Sequence, residues 1–506
     1  MSNPTPMSPV LLSRYLGQQY PPTDQQAAVI GAEPGPLLVV AGAGAGKTET
    51  MAARVVWLVA NGYARPDEVL GLTFTRKAAQ EMGKRIRDRL GSLAANTDLV
   101  HRLDPSGELA DNLQVIAPSV STYDSYAGEL IREYGLLVPV EPDARLITDA
   151  ELHAIATDVV VNYSGGLITE LGSNPSLSTV VEDLLALATA MGNELASPEW
   201  VREHAHDFLA ETESYPMAPR ARVEFTDVLT KWRSKQEMRV NMLPLVEELA
   251  AELRRRGVVT FNEQMSVAAK LARDHKTVGE SQRSRYRVVM LDEYQDTSHA
   301  QRVLLRSLFG EGAGPSLTVT AVGDPMQAIY GWRGATAANL AAFVEDFPSP
   351  EGPAPKKQLT TSWRNPPEVL DLANGVSDAV LGTAEDRAVA QLEPRPAADA
   401  GDVALGFFPD QDAEIAYVAD ALAQEYQAAS QEGRALSAAA LVRKNRHSPV
   451  LAAALEERGV PYEIVGLAGL LDVPEVADTV AIATMLVRPD DTAAALRVLG
   501  GPAVGL

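Results

Sequence analysis

The sequence predicts an α/β protein built on a parallel sheet, on three observations. Apolar runs of strand length alternate with longer segments whose apolar residues fall at helical spacing. The first run, Leu37–Val40, passes directly into the small-residue loop Ala41-Gly42-Ala43-Gly44-Ala45-Gly46-Lys47-Thr48. A later run, Val288–Leu291, ends in the adjacent carboxylates Asp292 and Glu293.

Taken in order, Leu37–Val40 reads as a buried strand and Glu49–Val56 as the helix that follows it. Strand, glycine loop, Gly-Lys-Thr and helix form a phosphate cradle. Small residues let backbone N–H groups close around a polyphosphate, and the helix N-terminus faces it with its positive end. Lys47 reaches the terminal phosphates, and the Thr48 hydroxyl can hold Mg²⁺. The strict pattern has Gly where Ala41 stands; the alternative reading is a flexible Gly/Ala turn. Further strands are expected at Val69–Thr73, Val115–Ser121, Val288–Leu291 and Leu317–Val322. Between them, residues 126–285 carry apolar residues at helical spacing and read as an inserted helical domain. The first α/β domain then comprises 18–125 and 286–347, after a disordered leader at 1–17. A Pro/Gly-rich joint at 348–355 marks a boundary. Strands expected at Gln358–Thr361, Val403–Phe408, Ala438–Val442 and Tyr462–Val465 imply a second α/β domain over 356–506.

A chain of 506 residues is too long for one core. Its apolar content of 46% is that of a soluble globular protein, and no apolar run is long enough to span a membrane. The N-terminus lacks a basic-then-apolar signal pattern. There are no cysteines, which excludes disulfides and Cys-ligated zinc or iron–sulfur sites within these residues and suits a reducing cytoplasm. The seven histidines lie without ligand spacing. A formal net charge of −23 argues against a general basic surface for nucleic acid, yet leaves room for a groove with local Lys and Arg.

At the carboxyl end of a strand in an open α/β sheet, Asp292 and Glu293 face the ligand crevice. Asp292 is placed to bind Mg²⁺. Glu293 is the natural base to orient and deprotonate an attacking water.

Through these residues the chain resembles the UvrD/Rep-type superfamily-one helicases. Asp292-Glu293-Tyr294-Gln295-Asp296-Thr297 is similar to the family's Asp-Glu-x-Gln-Asp signature, and Ala41–Thr48 to its phosphate loop, in which Ala replaces the first Gly. Thr23-Asp24-Gln25-Gln26 resembles the adenine-reading glutamine motif, with Gln26 the better-aligned residue. Leu72–Ala79 and Ser121-Thr122-Tyr123-Asp124 resemble two DNA-contacting motifs, although the family usually has His where Asp124 stands. Val322–Ala335, Ser362-Trp363-Arg364-Asn365 and Leu441–Val476 resemble later motifs.

The resemblance implies RecA-like motor domains acting on ATP with Mg²⁺, the second of them incomplete here. It implies Lys47, Glu293, Gln327 and Arg364 as catalytic residues, Thr48 and Asp292 as metal ligands, and Gln26, Ala41–Thr48 (Ala41, Gly42, Ala43, Gly44, Ala45, Gly46, Lys47, Thr48) and Trp363 at the nucleotide. Contacts to single-stranded DNA fall to Thr73, Phe74, Thr75, Arg76, Lys77, Thr122, Tyr123, Tyr330, Trp332 and Arg333. Gln327 can report the γ-phosphate, Arg364 neutralise it, and the aromatics stack bases. Residues 41–60 are most similar to the AdnB branch, motor subunits of actinobacterial AdnAB helicase–nucleases that resect double-strand breaks. That implies an AdnA-like partner subunit, duplex-end DNA as substrate and 3′ to 5′ movement. The family's last motifs and the iron–sulfur nuclease domain are absent before Leu506, so the chain is expected to be the N-terminal portion of a longer protein. The alternative is a nucleotide-dependent DNA-binding or regulatory subunit without unwinding activity.

Overall fold

The computed structural model describes residues 6–115, 117–138, 144–165, 175–215, 226–310, 314, 317–331, 334–335, 337–381, 389–465, 474–487, 489 and 491–501. Two compact units are present, Met1–Asp402 and Val403–Leu506.

The first unit opens with α1 (Pro9–Tyr15) and α2 (Asp24–Ile30), followed by β1 (Leu37–Ala41), α3 (Lys47–Ala60), β2 (Val69–Thr73) and α4 (Arg76–Ala95). Short helices α5 (Thr97–Leu103) and α6 (Glu108–Val115) lead to β3 (Ser119–Thr122) and α7 (Tyr123–Tyr134). The expected strand at 115–121 is therefore shorter: Val115 ends a helix, and Pro118, which cannot donate to a ladder, precedes the strand. β4 (Arg145–Leu146) pairs with β5 (Val258–Val259) and brackets the helices α8 (Asp149–Asn162), α9 (Leu177–Asn193), α10 (Pro198–Glu213) and α11 (Asp227–Arg255). Then come α12 (Phe261–Asp274), α13 (Lys276–Arg285), β6 (Val288–Leu291), α14 (His299–Phe309), β7 (Thr318–Gly323), α15 (Ala337–Asp346) and β8 (Lys356–Leu359). β9 (Thr361–Ser362), α16 (Pro367–Leu381) and β10 (Glu393–Pro394) close the unit, β9 pairing with β10.

Six strands form one all-parallel sheet in the order β3-β2-β6-β7-β1-β8. Alternate residues feed two cores. Leu38, Val40, Leu70, Leu72, Val289, Leu291 and Val319 face one, against α7, α12 and α14. Leu37, Val39, Val69, Val288, Met290 and Val322 face the other, against α3 and α4. Burial on both faces is why these strands read as continuous apolar runs. Each buried Val or Leu contributes about 1.5–3 kcal/mol relative to exposure. All six carboxyl ends lie on one edge, because the strands are parallel.

Four sequence expectations about organisation meet a different packing. Residues 9–15 of the expected disordered leader form α1, capped by Ser8, with Leu12 buried in the core shared with α3. The joint at 348–355 is an ordered turn, closed by Ser349 and Gly352 through backbone bonds of 2.7 and 3.2 Å. It returns the chain so that β8, expected to open a second domain, becomes the sheet's edge strand beside β1. The helical core separate from the sheet involves residues 147–258 only. α7, α12 and α13, expected in the insertion 126–285, pack on the sheet instead, since helical periodicity records an apolar face but not the core it faces.

The second unit contains α17 (Gln411–Gln431), α18 (Ser448–Glu457), α19 (Pro474–Val487) and α20 (Thr492–Gly500), with a small core of Ala419, Ala423, Leu451, Leu455 and Val460. The strands expected at 403–408, 438–442 and 462–465 are not formed: among the described residues this unit has no strand. Leu405, Phe407, Leu441 and Val465 are exposed in these segments, where no partner strand is hydrogen-bonded to them. No helix among the described residues is long and apolar enough to cross a membrane.

Candidate functional site

The glycine loop joins β1 to α3. Ala41 is the buried last residue of β1, so ordinary backbone geometry suffices where the general pattern has Gly. Gly44 and Gly46 lie at φ +76° and +78°, which L side chains rarely adopt. A Cβ on Gly44 would also come within 2.6 Å of the Ser362 hydroxyl. Gly46 begins α3 with no side-chain cap, unlike α2, α4 and α7, whose first turns are capped by Thr23, Thr75 and Thr122. The first N–H groups of α3 are thus left for a ligand rather than a cap.

Across the edge, Lys47 Nζ lies 3.2 Å from Glu293 Oε2, an ion pair between residues 246 apart in sequence. Glu293 has a positive φ of 50°, a strained setting for a non-glycine residue that turns its carboxylate back toward the loop. Gln295, buried, donates from one amide nitrogen to Glu293 (2.9 Å) and Asp296 (3.1 Å), while its oxygen accepts the Asp324 N–H at 3.0 Å. Asp324 in turn accepts from the Gln327 side-chain amide at 2.6 Å. A continuous chain thus runs from Lys47 through Glu293, Gln295 and Asp324 to Gln327. Gln295 and Asp324 fall within the motifs Asp292–Thr297 and Val322–Ala335 but had no role assigned from the sequence; they follow β6 and β7, neighbours in the sheet, and meet for that reason.

Asp292 is buried, its carboxylate accepting the N–H of Glu293 at 3.1 Å. Burial first, then the Glu293 charge, pushes its pKa from 3.8 up to about 7, against the pull of Lys47. The folded protein therefore keeps a proton that the unfolded chain has lost. Stability is fullest below the unfolded value and falls as pH rises through about 7. At about 1.4 kcal/mol per unit, the loss is on the order of 4 kcal/mol. Asp292→Asn should accordingly be more stable than the parent at about pH 8 and equal to it below about pH 4, read by urea unfolding. Equal stability at the higher pH would remove this account of Asp292.

A pocket of about 450 Å³ opens beside the loop, with Gln26, Gly46 and Trp363 in its lining. Gln26 accepts the Thr23 N–H at 3.0 Å in a reciprocal cap of α2. Its neighbour Gln25 takes a second role, binding the Thr360 N–H (2.8 Å) and hydroxyl (2.9 Å) ahead of Ser362-Trp363-Arg364. The Trp363 backbone N–H donates to the Gly44 carbonyl at 2.9 Å, and Arg364 packs its Cβ on Gly44 with its side chain exposed. Arg54, fully buried in α3, donates to the carbonyls of Val29, Ile30, Ala32 and Glu33 and to Thr320, fastening α2 to the sheet. Burial lowers its pKa to about 10.

The second group of predicted residues follows β2, β3 and β7 on the same edge. Arg76 and Lys77 are exposed at the N-terminus of α4, with Thr75 as its cap. Tyr330 stacks on Phe74, their rings 5.7 Å apart and 8° from parallel. Tyr123 departs from expectation: it is buried against Phe74, and its hydroxyl donates to the Asp292 carbonyl at 3.0 Å. The side chains of Thr73 and Thr122 are buried as well, Thr122 serving as the cap of α7. These three side chains support the edge rather than forming its exposed surface. Trp332 and Arg333 lie outside the described residues.

Residues 22–348 match the family model of the UvrD/REP helicase N-terminal domain, and residues 358–506 that of the UvrD-like helicase C-terminal domain. The ATP-dependent DNA helicase UvrD1 of Mycobacterium tuberculosis is 27% identical over 497 residues, covering 95% of this chain and 54% of its own. The ATP-dependent DNA helicase PcrA of Staphylococcus epidermidis is 24% identical over 488 residues, covering 95% and 56%. The chain spans about half the length of the curated relatives it matches.

Proposed function

The chain belongs to the UvrD/REP helicase family, and on that premise we propose that it hydrolyses Mg-ATP at the carboxyl edge of its sheet and couples the cycle to movement along single-stranded DNA. The observation that carries this reading is the Lys47–Glu293 pair, which joins the phosphate loop to the candidate base at 3.2 Å. A polyphosphate in the loop draws Lys47 to its terminal oxygens and frees Glu293 to take a proton from water. Gln295 holds that carboxylate in orientation. Asp324 links the same amide to Gln327, so a γ-phosphate contact at Gln327 is felt at the base. Arg364, packed on Gly44, is the nearby guanidinium for transition-state charge.

Thr48 and Asp292 fit Mg²⁺. They offer hard oxygens, and Asp292 is a buried carboxylate that pairs with no Lys or Arg among the described residues. No larger ligand cluster exists among the described residues, in keeping with a metal shared with substrate phosphates. Bound there, the ion neutralises phosphate charge.

The DNA path runs over Thr75, Arg76, Lys77 and the Phe74–Tyr330 stack, where exposed cations border an aromatic pair. The finer role we infer is that of an AdnB-like cytoplasmic motor at duplex ends, moving 3′ to 5′ beside an AdnA-like subunit in double-strand break resection; the similarity of residues 41–60 supports it.

Replacing Arg76 and Lys77 together by Ala should weaken single-strand binding for all sequences alike. The slope of log affinity against log salt should fall by about 1.4, at ~0.7 per lost phosphate contact. Fluorescence anisotropy over a salt series measures it; an unchanged slope would move the DNA path off this helix start.

A further inference from the structure

We propose that Tyr123 is a positioning residue whose hydroxyl passes the occupancy of the Phe74–Tyr330 stack to the Glu293 carboxylate. The proposal rests on the assignment of ATP and single-stranded DNA to this sheet edge. Tyr123 begins α7 just past the Thr122 cap and is 2% exposed, so it does not itself meet DNA. Its ring lies edge-on to Phe74, with centroids 5.7 Å apart and planes at 63°. Phe74 is half-buried and stacks on the half-buried Tyr330. The three rings form one row, at spacings where aromatic rings attract. The row leads from the core to the edge, where the sequence neighbours Thr75 and Ile329 are exposed.

The other end of Tyr123 meets the catalytic strand end. Its hydroxyl donates to the Asp292 carbonyl at 3.0 Å, across 169 residues of sequence. That carbonyl belongs to the peptide group whose nitrogen is that of Glu293. The Glu293 N–H is tied in turn to the Asp292 carboxylate at 3.1 Å. The peptide plane is thus held on both sides. Glu293 leaves it at the strained φ of 50° and reaches Lys47 from there, so a small tilt of the plane swings the carboxylate. A DNA base on the Phe74–Tyr330 stack displaces Phe74, Phe74 displaces the Tyr123 ring, and the hydroxyl tilts the plane. Close-packed side chains transmit such shifts because they have no free space to absorb them. A phenylalanine would fill the same ring space. Only the hydroxyl joins the aromatic row to the candidate base, so its role is separable from packing.

Phosphate release at saturating single-stranded oligonucleotide, divided by release without it, tests this in the full chain. Tyr123→Phe should lower that ratio by about threefold or more, while DNA affinity by anisotropy stays within about threefold of the parent. Phe74→Leu should lower the ratio too. The double variant should fall no further than the lower of the two single variants, because both cut one route. A hydroxyl that only supports the fold would lower the melting temperature and both rates alike, leaving the ratio intact. An unchanged ratio in Tyr123→Phe, or losses that multiply in the double variant, overturns the inference alone. A parent chain whose turnover ignores DNA overturns the reading of the shared edge, and the inference with it.

Discussion

Lys47→Ala should cut ATP turnover by on the order of 10²–10³-fold or more, because the loop loses its one positive side chain at the terminal phosphates. Lys47 is mostly buried while Glu293 is more than a third exposed on its side chain, so the partner left behind can be hydrated and the fold should persist. Steady-state phosphate release, with thermal melting as a control for folding, measures the effect. Turnover near that of the parent would sink the assignment of the loop.

Glu293→Gln should separate binding from chemistry. The amide still occupies the strained turn and its oxygen can still accept from Lys47 and Gln295, which contact Glu293 at 3.2 and 2.9 Å. Nucleotide affinity should stay within about threefold, while hydrolysis falls by about 10²–10⁴-fold, because an amide cannot take the water's proton. Normal turnover, or loss of nucleotide binding, would each contradict the role given to Glu293.

The phosphate loop was legible because its chemistry sits in consecutive residues: three glycines, Lys47 and Thr48 need no knowledge of the fold. Asp292 and Glu293 were legible once β6 was recognised, since a strand's carboxyl end faces the crevice. What joins these parts was not. Gln295 meets Asp324 only because β6 and β7 are neighbours, and sheet order is not written in either strand. The same limit explains β8: its residues look like a strand, but nothing in them names β1 as the partner. Tyr123 shows a different limit. An aromatic in a DNA-contacting motif can equally be core, and here its ring packs on Phe74 while its hydroxyl supports the strand end at Asp292. Arg54 reads as one more basic helix residue, yet it is buried on four carbonyls that no local pattern brings together. In the second unit, Leu405, Phe407 and Leu441 have the composition of strands without paired neighbours.

The central claim is that one sheet edge binds ATP and single-stranded DNA together and couples them. Phosphate release by the chain, with and without a single-stranded oligonucleotide, tests it most directly. The account predicts Mg-dependent turnover that DNA raises by on the order of tenfold or more, about 1.4 kcal/mol in the barrier, with the stimulation lost when Arg76 and Lys77 are both replaced by Ala. Turnover indifferent to DNA, or stimulation that survives the double replacement, would contradict it.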